Sequence, residues 1–323
     1  MLHRKSSLRY SRVFNPNPQE ISWSPFPAYW LKETGNYDSL LFMETVIIDG
    51  VTLYLSHPDD LPLDWVGQRD LIDQVLAAWL VVEEKDLPLN PRLIGKPGVG
   101  KTTLAYAAAR RLGREVYFYQ ATMDTRPEDL IVTPVIADQG KIHYMASSLV
   151  TAMIRGGVLI LDEGNRMSEK SWASLAPLLD NRRYVESVVT GIKIPAHPEF
   201  RFCATMNDDA STFELPEYIH SRLQPQIFID FPEPEEEHLI LKRNLPFASE
   251  DILQYVVQFL QTAHQAHERY TVRDGINISR YALKLLEGKK VLRYSPSEEQ
   301  KLVSLRLSIE MILGEKALVY WPH

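Results

Sequence analysis

The chain has 323 residues, is 45% hydrophobic and 24% charged, and carries a net charge of −7 at pH 7. This is a globular composition, long enough for two domains, and its acidic balance argues against a nucleic-acid protein that relies on a broad basic surface. The one cysteine, Cys203, excludes an internal disulfide, and no apolar run is long enough to span a bilayer or to follow the basic N-terminus as a signal peptide. A cytoplasmic protein with no membrane segment is the expectation.

Residues 1–62 form an extension. Breaker clusters at Asn15-Pro16-Asn17-Pro18 and Ser24-Pro25-Phe26-Pro27 make it irregular, and Tyr10, Phe14, Trp23, Phe26, Tyr29 and Trp30 suit an arm packed on another surface. Thr45–Ile48, Asp49-Gly50 and Val51–Leu55 read as a β-hairpin. Val66-Gly67 leads into a helix over about 70–82. Five core strands follow at Pro91–Ile94, Val116–Tyr119, Val158–Leu161, Phe200–Thr205 and Gln226–Phe231, with helices between them at Thr102–Leu112 and Glu169–Leu179. Strand–helix alternation of this kind predicts a parallel sheet with helices on both faces, over residues 63–231. Beyond Pro232 the pattern is helical only, at about 234–245, 249–270, 277–288 and 296–315, which predicts a small all-α lid over 232–323. The acidic run Glu233 to Glu237 fits the first turn of its first helix.

Gly95-Lys96-Pro97-Gly98-Val99-Gly100-Lys101-Thr102 fits G-x-x-x-x-G-K-[ST], so the fold class is an α/β P-loop NTPase. Such a loop turns backbone N–H groups onto phosphate oxygens at a helix N-terminus. Pro97, Gly98, Val99, Gly100, Lys101, Thr102 and Thr103 form the predicted cradle. Lys101 reaches the β- and γ-phosphates of ATP, and the Thr102 hydroxyl is a ligand for Mg²⁺. Gly157–Leu161 is a buried apolar strand ending in Asp162 and Glu163. Asp162 is placed to hold Mg²⁺, usually through water, and Glu163 to polarise the attacking water. His264 and His267 do not fit a zinc motif and read as exposed helix residues. Cys203 reads as a small buried core residue.

This order of motifs resembles the AAA+ ATPases. Phe202–Asn207 looks like the strand that ends in the sensor-1 residue, with Asn207 orienting the water. Leu215–Leu223 looks like the segment that presents an arginine finger, Arg222, to a neighbouring subunit. Asn277–Ala282 looks like the start of the sensor-2 helix, with Arg280 reaching the nucleotide. Within AAA+ the chain is most similar to the MoxR-type group, a neighbour of McrB-like motors. Asp124–Leu130, an insertion over Ile131–Arg155, Asp162-Glu163-Gly164-Asn165-Arg166 and the hairpin Tyr184–Pro195 carry that similarity, with Gly164 replacing the group's usual apolar residue. The resemblance covers about residues 64–290. It implies Mg-dependent ATP hydrolysis in a homo-oligomeric ring, with a hexamer expected, acting on a protein client, and it suggests a separate partner carrying a von Willebrand factor A domain. It also places Val66 and Gly67 near the adenine and makes Arg182 or Arg183 a second candidate for contact in trans. Lys141, His143 and Lys193 would be the polar tips of pore-facing loops. Two other readings stay open at the level of sequence: an NTP-driven nucleic-acid motor and a nucleotide-gated scaffold.

Overall fold

The computed structural model describes residues 43–62, 65–137, 140–208, 214–289 and 297–322. The aromatic arm and the Asp138-Gln139 turn lie outside the described residues. In chain order the elements are β1 (Thr45–Ile48), β2 (Val51–Tyr54), α1 (Arg69–Trp79), β3 (Arg92–Gly95), α2 (Lys101–Arg111), β4 (Val116–Gln120), α3 (Pro127–Leu130), β5 (Val132–Ile136), β6 (Ile142–Ala146) and α4 (Ser148–Arg155). There follow β7 (Val158–Asp162), α5 (Glu169–Leu175), β8 (Tyr184–Glu186), β9 (Lys193–Pro195), β10 (Arg201–Asn207), α6 (Glu217–His220), β11 (Gln226–Ile229), α7 (Pro234–Asn244), α8 (Glu250–Gln265), α9 (Val272–Lys289) and α10 (Glu298–Leu313).

The predicted parallel sheet is present, with strand order β11-β3-β10-β7-β4. Alternation along its strands divides the core. Val158, Ile160 and Cys203 pack with Leu104, Ala108 and Trp79 from α2 and α1, while Leu159, Leu161 and Phe202 pack with Leu149, Met153 and Trp172 from α4 and α5. Both faces are therefore covered, as a buried parallel sheet requires. The C-terminal helices bury a separate apolar cluster around Leu253, Phe259, Leu260, Ile278 and Leu305.

Several element ends differ from the sequence expectation, each for a local reason. α1 stops at Trp79 because the buried Arg201 guanidinium takes its carbonyl (Nε–O 2.8 Å), and Leu80 and Val82 then run exposed. α5 stops at Leu175 although Ala176 keeps helical dihedrals (φ −54°, ψ −40°), because Pro177 brings no N–H to continue the ladder. α8 stops at Gln265 in a Schellman motif: Glu268 N–H bonds the Ala263 carbonyl at 3.0 Å and His267 N–H the His264 carbonyl at 2.9 Å. His267 fills the left-handed position at φ 63° that glycine normally takes, so the stop carried no sequence signal. α9 begins at Val272 rather than 277. Thr271 and Asp274 cap it reciprocally, Asp274 Oδ2 accepting from Thr271 N at 2.7 Å and Thr271 Oγ1 from Asp274 N at 3.4 Å.

The hairpin β1–β2 forms in the predicted register, Ile48 opposite Val51. It does not stand alone. β2 runs parallel to β6, with Leu53 beside Tyr144, so that the hairpin and the insertion make one four-stranded sheet, β1-β2-β6-β5. Arg155 at the end of α4 secures this unit. It holds both oxygens of Glu115 (2.7 and 3.0 Å) and also bonds Glu44, just before β1.

Candidate functional site

Parallel strands deliver their C-terminal ends to one edge of the sheet. The register sets Asn207 beside Gly95 and Gln120 beside Asp162. The phosphate loop leaves β3 at that edge and turns into α2. Lys101 is buried, its Nζ donating to the carbonyls of Gly95 (2.9 Å) and Lys96 (2.8 Å). Thr102 Oγ1 donates to Asp162 Oδ1 at 2.9 Å, so the two predicted metal ligands meet. This donor set suits Mg²⁺, which is ordinarily held by one or two protein oxygens with phosphate and water completing its shell. Among the described residues no group of three or more His, Cys, Asp or Glu could hold a metal ion by itself.

Glu163 turns out of the sheet in the left-handed region, φ 54° and ψ 39°. Three side chains hold its carboxylate. Asn207 Nδ2 donates to Oε1 at 3.1 Å, Gln120 Nε2 to Oε2 at 3.1 Å, and the Arg166 guanidinium pairs with Oε2 at 2.6 Å. Thr205 ties the acidic pair together: its hydroxyl accepts from Glu163 N–H at 3.1 Å and donates to Asp162 Oδ1. Asn165 braces Asn207 through its backbone, donating to the carbonyl at 2.8 Å. Gln120 and Thr205 were not singled out as site residues from sequence. Their signal was positional, since each lies at or near the C-terminal end of a strand flanking Asp162. Gly164, the departure from the group's signature, is explained by packing. A methyl group built there would lie 3.1 Å from the Trp172 ring, which fills the space of the missing side chain.

Val66 and Gly67 lie just before α1. The neighbouring Trp65 indole covers the loop, within 3.0 Å of where a Cβ on Gly100 would sit. A cleft of about 620 Å³ opens from Trp65 along α2 to Arg110 and Arg111. Thr103 follows Thr102 in the first turn of α2.

The helical region touches the loop at two points. Gly98 has φ +83°, and a Cβ there would meet Thr271 Oγ1 at 2.7 Å, so only glycine allows the α9 N-terminus this close. Lys96 Nζ sits 4.2 Å from the centroid of Phe231, and the His264 ring stacks on the same Phe231 ring at 3.8 Å and 8°. His264 is thus half-buried, contrary to its expected exposure, and its Nε2 lies 2.7 Å from the Tyr270 carbonyl. Burial holds its imidazole below the usual histidine range, with Lys96 acting in the same direction. His267 is exposed as expected.

Arg280 is exposed on α9, about 13 Å along the helix from Thr271 at an α-helix's rise per residue. Arg273 lies in the first turn of the same helix, two residues from Thr271. Arg222 lies just after α6, with Nη1 donating to the Tyr218 carbonyl at 2.6 Å and Nη2 to Asp180 Oδ2 at 3.3 Å. The structure separates the other two arginines. Arg183 turns inward, donating to the Phe200 carbonyl at 3.0 Å, and burial lowers its pKa. Arg182 stays at the surface and pairs with Asp180 at 2.8 Å.

The residues expected at loop tips sit in different surroundings. Lys141 is exposed, but His143 packs on Tyr54 (centroids 4.8 Å apart) and Lys193 lies over Tyr184 (4.9 Å) on β9. Val188, 85% exposed, lies on the turn between β8 and β9.

A family model described as an AAA domain of the dynein-related subfamily matches residues 92–223. Protein NorQ of Paracoccus denitrificans is 31% identical over 170 residues, 52% of this chain and 62% of that protein. Chaperone MoxR1 of Mycobacterium tuberculosis is 29% identical over 180 residues, 55% of this chain and 44% of that protein. The von Willebrand factor A domain-containing protein 8 of Mus musculus is 27% identical over 249 residues, 70% of this chain and 13% of that protein. The chain spans less than two thirds of the length of each of these relatives. Among solved structures, the Thermotoga maritima RuvB Holliday junction branch migration motor superposes with a TM-score of 0.51 at 17% identity, covering 75% of this chain and 70% of that one, a likeness of fold alone.

Proposed function

Because the chain belongs to the AAA+ ATPases of the MoxR-type group, we propose that it hydrolyses ATP with Mg²⁺ in a ring of its own copies and uses the resulting movement to remodel a protein client. The observation that carries the reading is the acidic pair at the sheet edge: Asp162 hydrogen-bonded to Thr102, and Glu163 held by Asn207 and Gln120. The relatives named a chaperone and a protein with a von Willebrand factor A domain support a client and a partner of that kind.

Phosphoryl transfer to water needs positioning and charge stabilisation more than covalent chemistry. The backbone from Pro97 to Thr103 and the Lys101 ammonium bind the phosphates. Lys101 exchanges its present carbonyl partners, Gly95 and Lys96, for phosphate oxygens. Mg²⁺, held by Thr102 and through Asp162, supplies neutralisation of charge on the phosphate oxygens. Glu163 Oε1 or Oε2 takes the proton of the attacking water, and Asn207 orients that water. Val66, Gly67 and the Trp65 face flank the base. Arg222 acts in trans on a neighbour's site, and a finger of this kind is worth about 10³–10⁵ in rate. Arg273 takes the role first expected of Arg280, since it opens the helix that abuts Gly98.

Steady-state hydrolysis of ATP and GTP against protein concentration tests the reading, beside Glu163→Gln. The expected result is specific activity that rises with concentration, prefers ATP and vanishes in the variant while nucleotide still binds. Activity independent of concentration would remove the ring, and undiminished activity in Glu163→Gln would remove the assigned base.

A further inference from the structure

We propose that Asp180 is a positioning residue that ties Arg182 and Arg222 into one two-arginine unit offered to the neighbouring copy. The inference rests on the reading of Arg222 as a residue that acts in trans.

One carboxylate serves both guanidiniums. Oδ2 accepts from Arg182 Nη2 at 2.8 Å and from Arg222 Nη2 at 3.3 Å, while Oδ1 accepts from Arg182 Nε and the Arg182 backbone N–H, both at 3.0 Å. The two arginines come from different segments, the turn after α5 and the stretch after α6. Asn90 stitches the same two segments through their backbones, donating to Leu179 O at 3.1 Å and Arg222 O at 3.2 Å. Arg222 is further oriented by the Tyr218 carbonyl and lies 5.9 Å from that ring's centroid. Its Nε is buried with no hydrogen-bond partner, so its donors are not all satisfied within the subunit.

Charge and exposure give the unit its use. Two cations around one carboxylate leave a net charge of about +1, and the anion fixes the distance between guanidiniums that would otherwise repel. The side chains of Arg182 and Arg222 remain 52% and 27% exposed, so the pair is accessible. The carboxyl is held at about 2, first by its hydrogen bond to Arg182, and so stays ionised at any working pH. A long arginine chain is rich in rotamers, and ordering it before the encounter lowers the cost of placing it in the transition state. The ligand this chemistry fits is a polyphosphate presented by a second copy.

The test uses mixtures of full chains. Arg222→Ala subunits keep a complete site but offer no finger. Glu163→Gln subunits hydrolyse nothing but offer an intact finger, so activity in the mixture comes from mixed interfaces. Donors carrying Glu163→Gln with Asp180→Asn should restore about tenfold less turnover, with the KM for ATP unchanged. Glu163→Gln with Arg182→Ala should also restore less, and Glu163→Gln with Asp180→Glu should restore most of it. Full restoration by both the Asp180→Asn and Arg182→Ala donors would overturn the proposal while leaving Arg222 in trans. No restoration by Glu163→Gln alone would overturn the trans reading, and this inference with it. Nucleotide binding by each donor verifies its fold, and if the Asp180→Asn donor fails to fold, full restoration by the Arg182→Ala donor alone overturns the pair.

Discussion

At the scale of single residues, the site depends on groups that carry no chemistry themselves. Thr205 is the clearest. Its one hydroxyl accepts from the Glu163 amide and donates to Asp162, and it is fully buried. Thr205→Val keeps the shape but leaves a buried N–H unpaired, which costs about 1–3 kcal/mol. A lower melting temperature and at least a tenfold loss of turnover are expected, with nucleotide affinity retained; unchanged turnover would show that Glu163 does not need this anchor. The residues proposed to touch phosphate, metal and water were legible from sequence because such a ligand dictates their spacing. Gln120 and Thr205 were not, because they act through the strand register, and register is a relation between distant segments.

At the scale of elements, the sequence showed strands and helices well and their ends poorly. Ends are decided by tertiary partners, such as Arg201 on the Trp79 carbonyl, or by an atypical residue such as His267 at a glycine position. The α9 start had a readable signal, the Thr271-x-x-Asp274 spacing, and recovering it puts Arg273 in the first turn, the basis for proposing it as the lid arginine. Helix α7 carries a testable anomaly. Three of its first residues are the predicted acidic cluster, but Glu237 is fully buried, and burial raises its carboxyl to about 7 against the opposing hydrogen bond from Gln261. A folded pKa above the unfolded value near 4.5 means stability that is fully present below about 4.5 and lost as pH rises through 7. Glu237→Gln should therefore match the parent in urea denaturation at pH 4.5 and exceed it by about 2 kcal/mol at pH 8. Equal stability at both values would mean that water reaches the carboxylate.

At the scale of the whole molecule, the sequence indicated an N-terminal extension, a core and a lid but not how they meet. The N-terminal hairpin was legible as a hairpin, and its pairing with β6 was not, since nothing local to either strand specifies the other. The meeting of lid and loop was likewise hidden. It rests on Thr271 filling the space beside Gly98 and on the Phe231 ring between Lys96 and His264. Replacing Phe231 with Leu removes both ring contacts at modest cost in volume. The expected outcome is faster hydrogen exchange in α8 and the start of α9 that nucleotide no longer suppresses; protection equal to the parent would assign the coupling to Gly98 and Thr271 alone.

That ring also has a consequence for timing. Phe231 closes the strand-bearing unit and directly precedes Pro232, so in the proposed lid movement it would be a pivot as well as a contact. The backbone carbonyl of Lys96 receives the Lys101 ammonium while its own side chain grips the pivot. A ligand that draws Lys101 away therefore disturbs the residue that clasps the lid. In the proposed cycle, loading and swinging would share one joint, and the lid would sense a filled loop before any bond is broken.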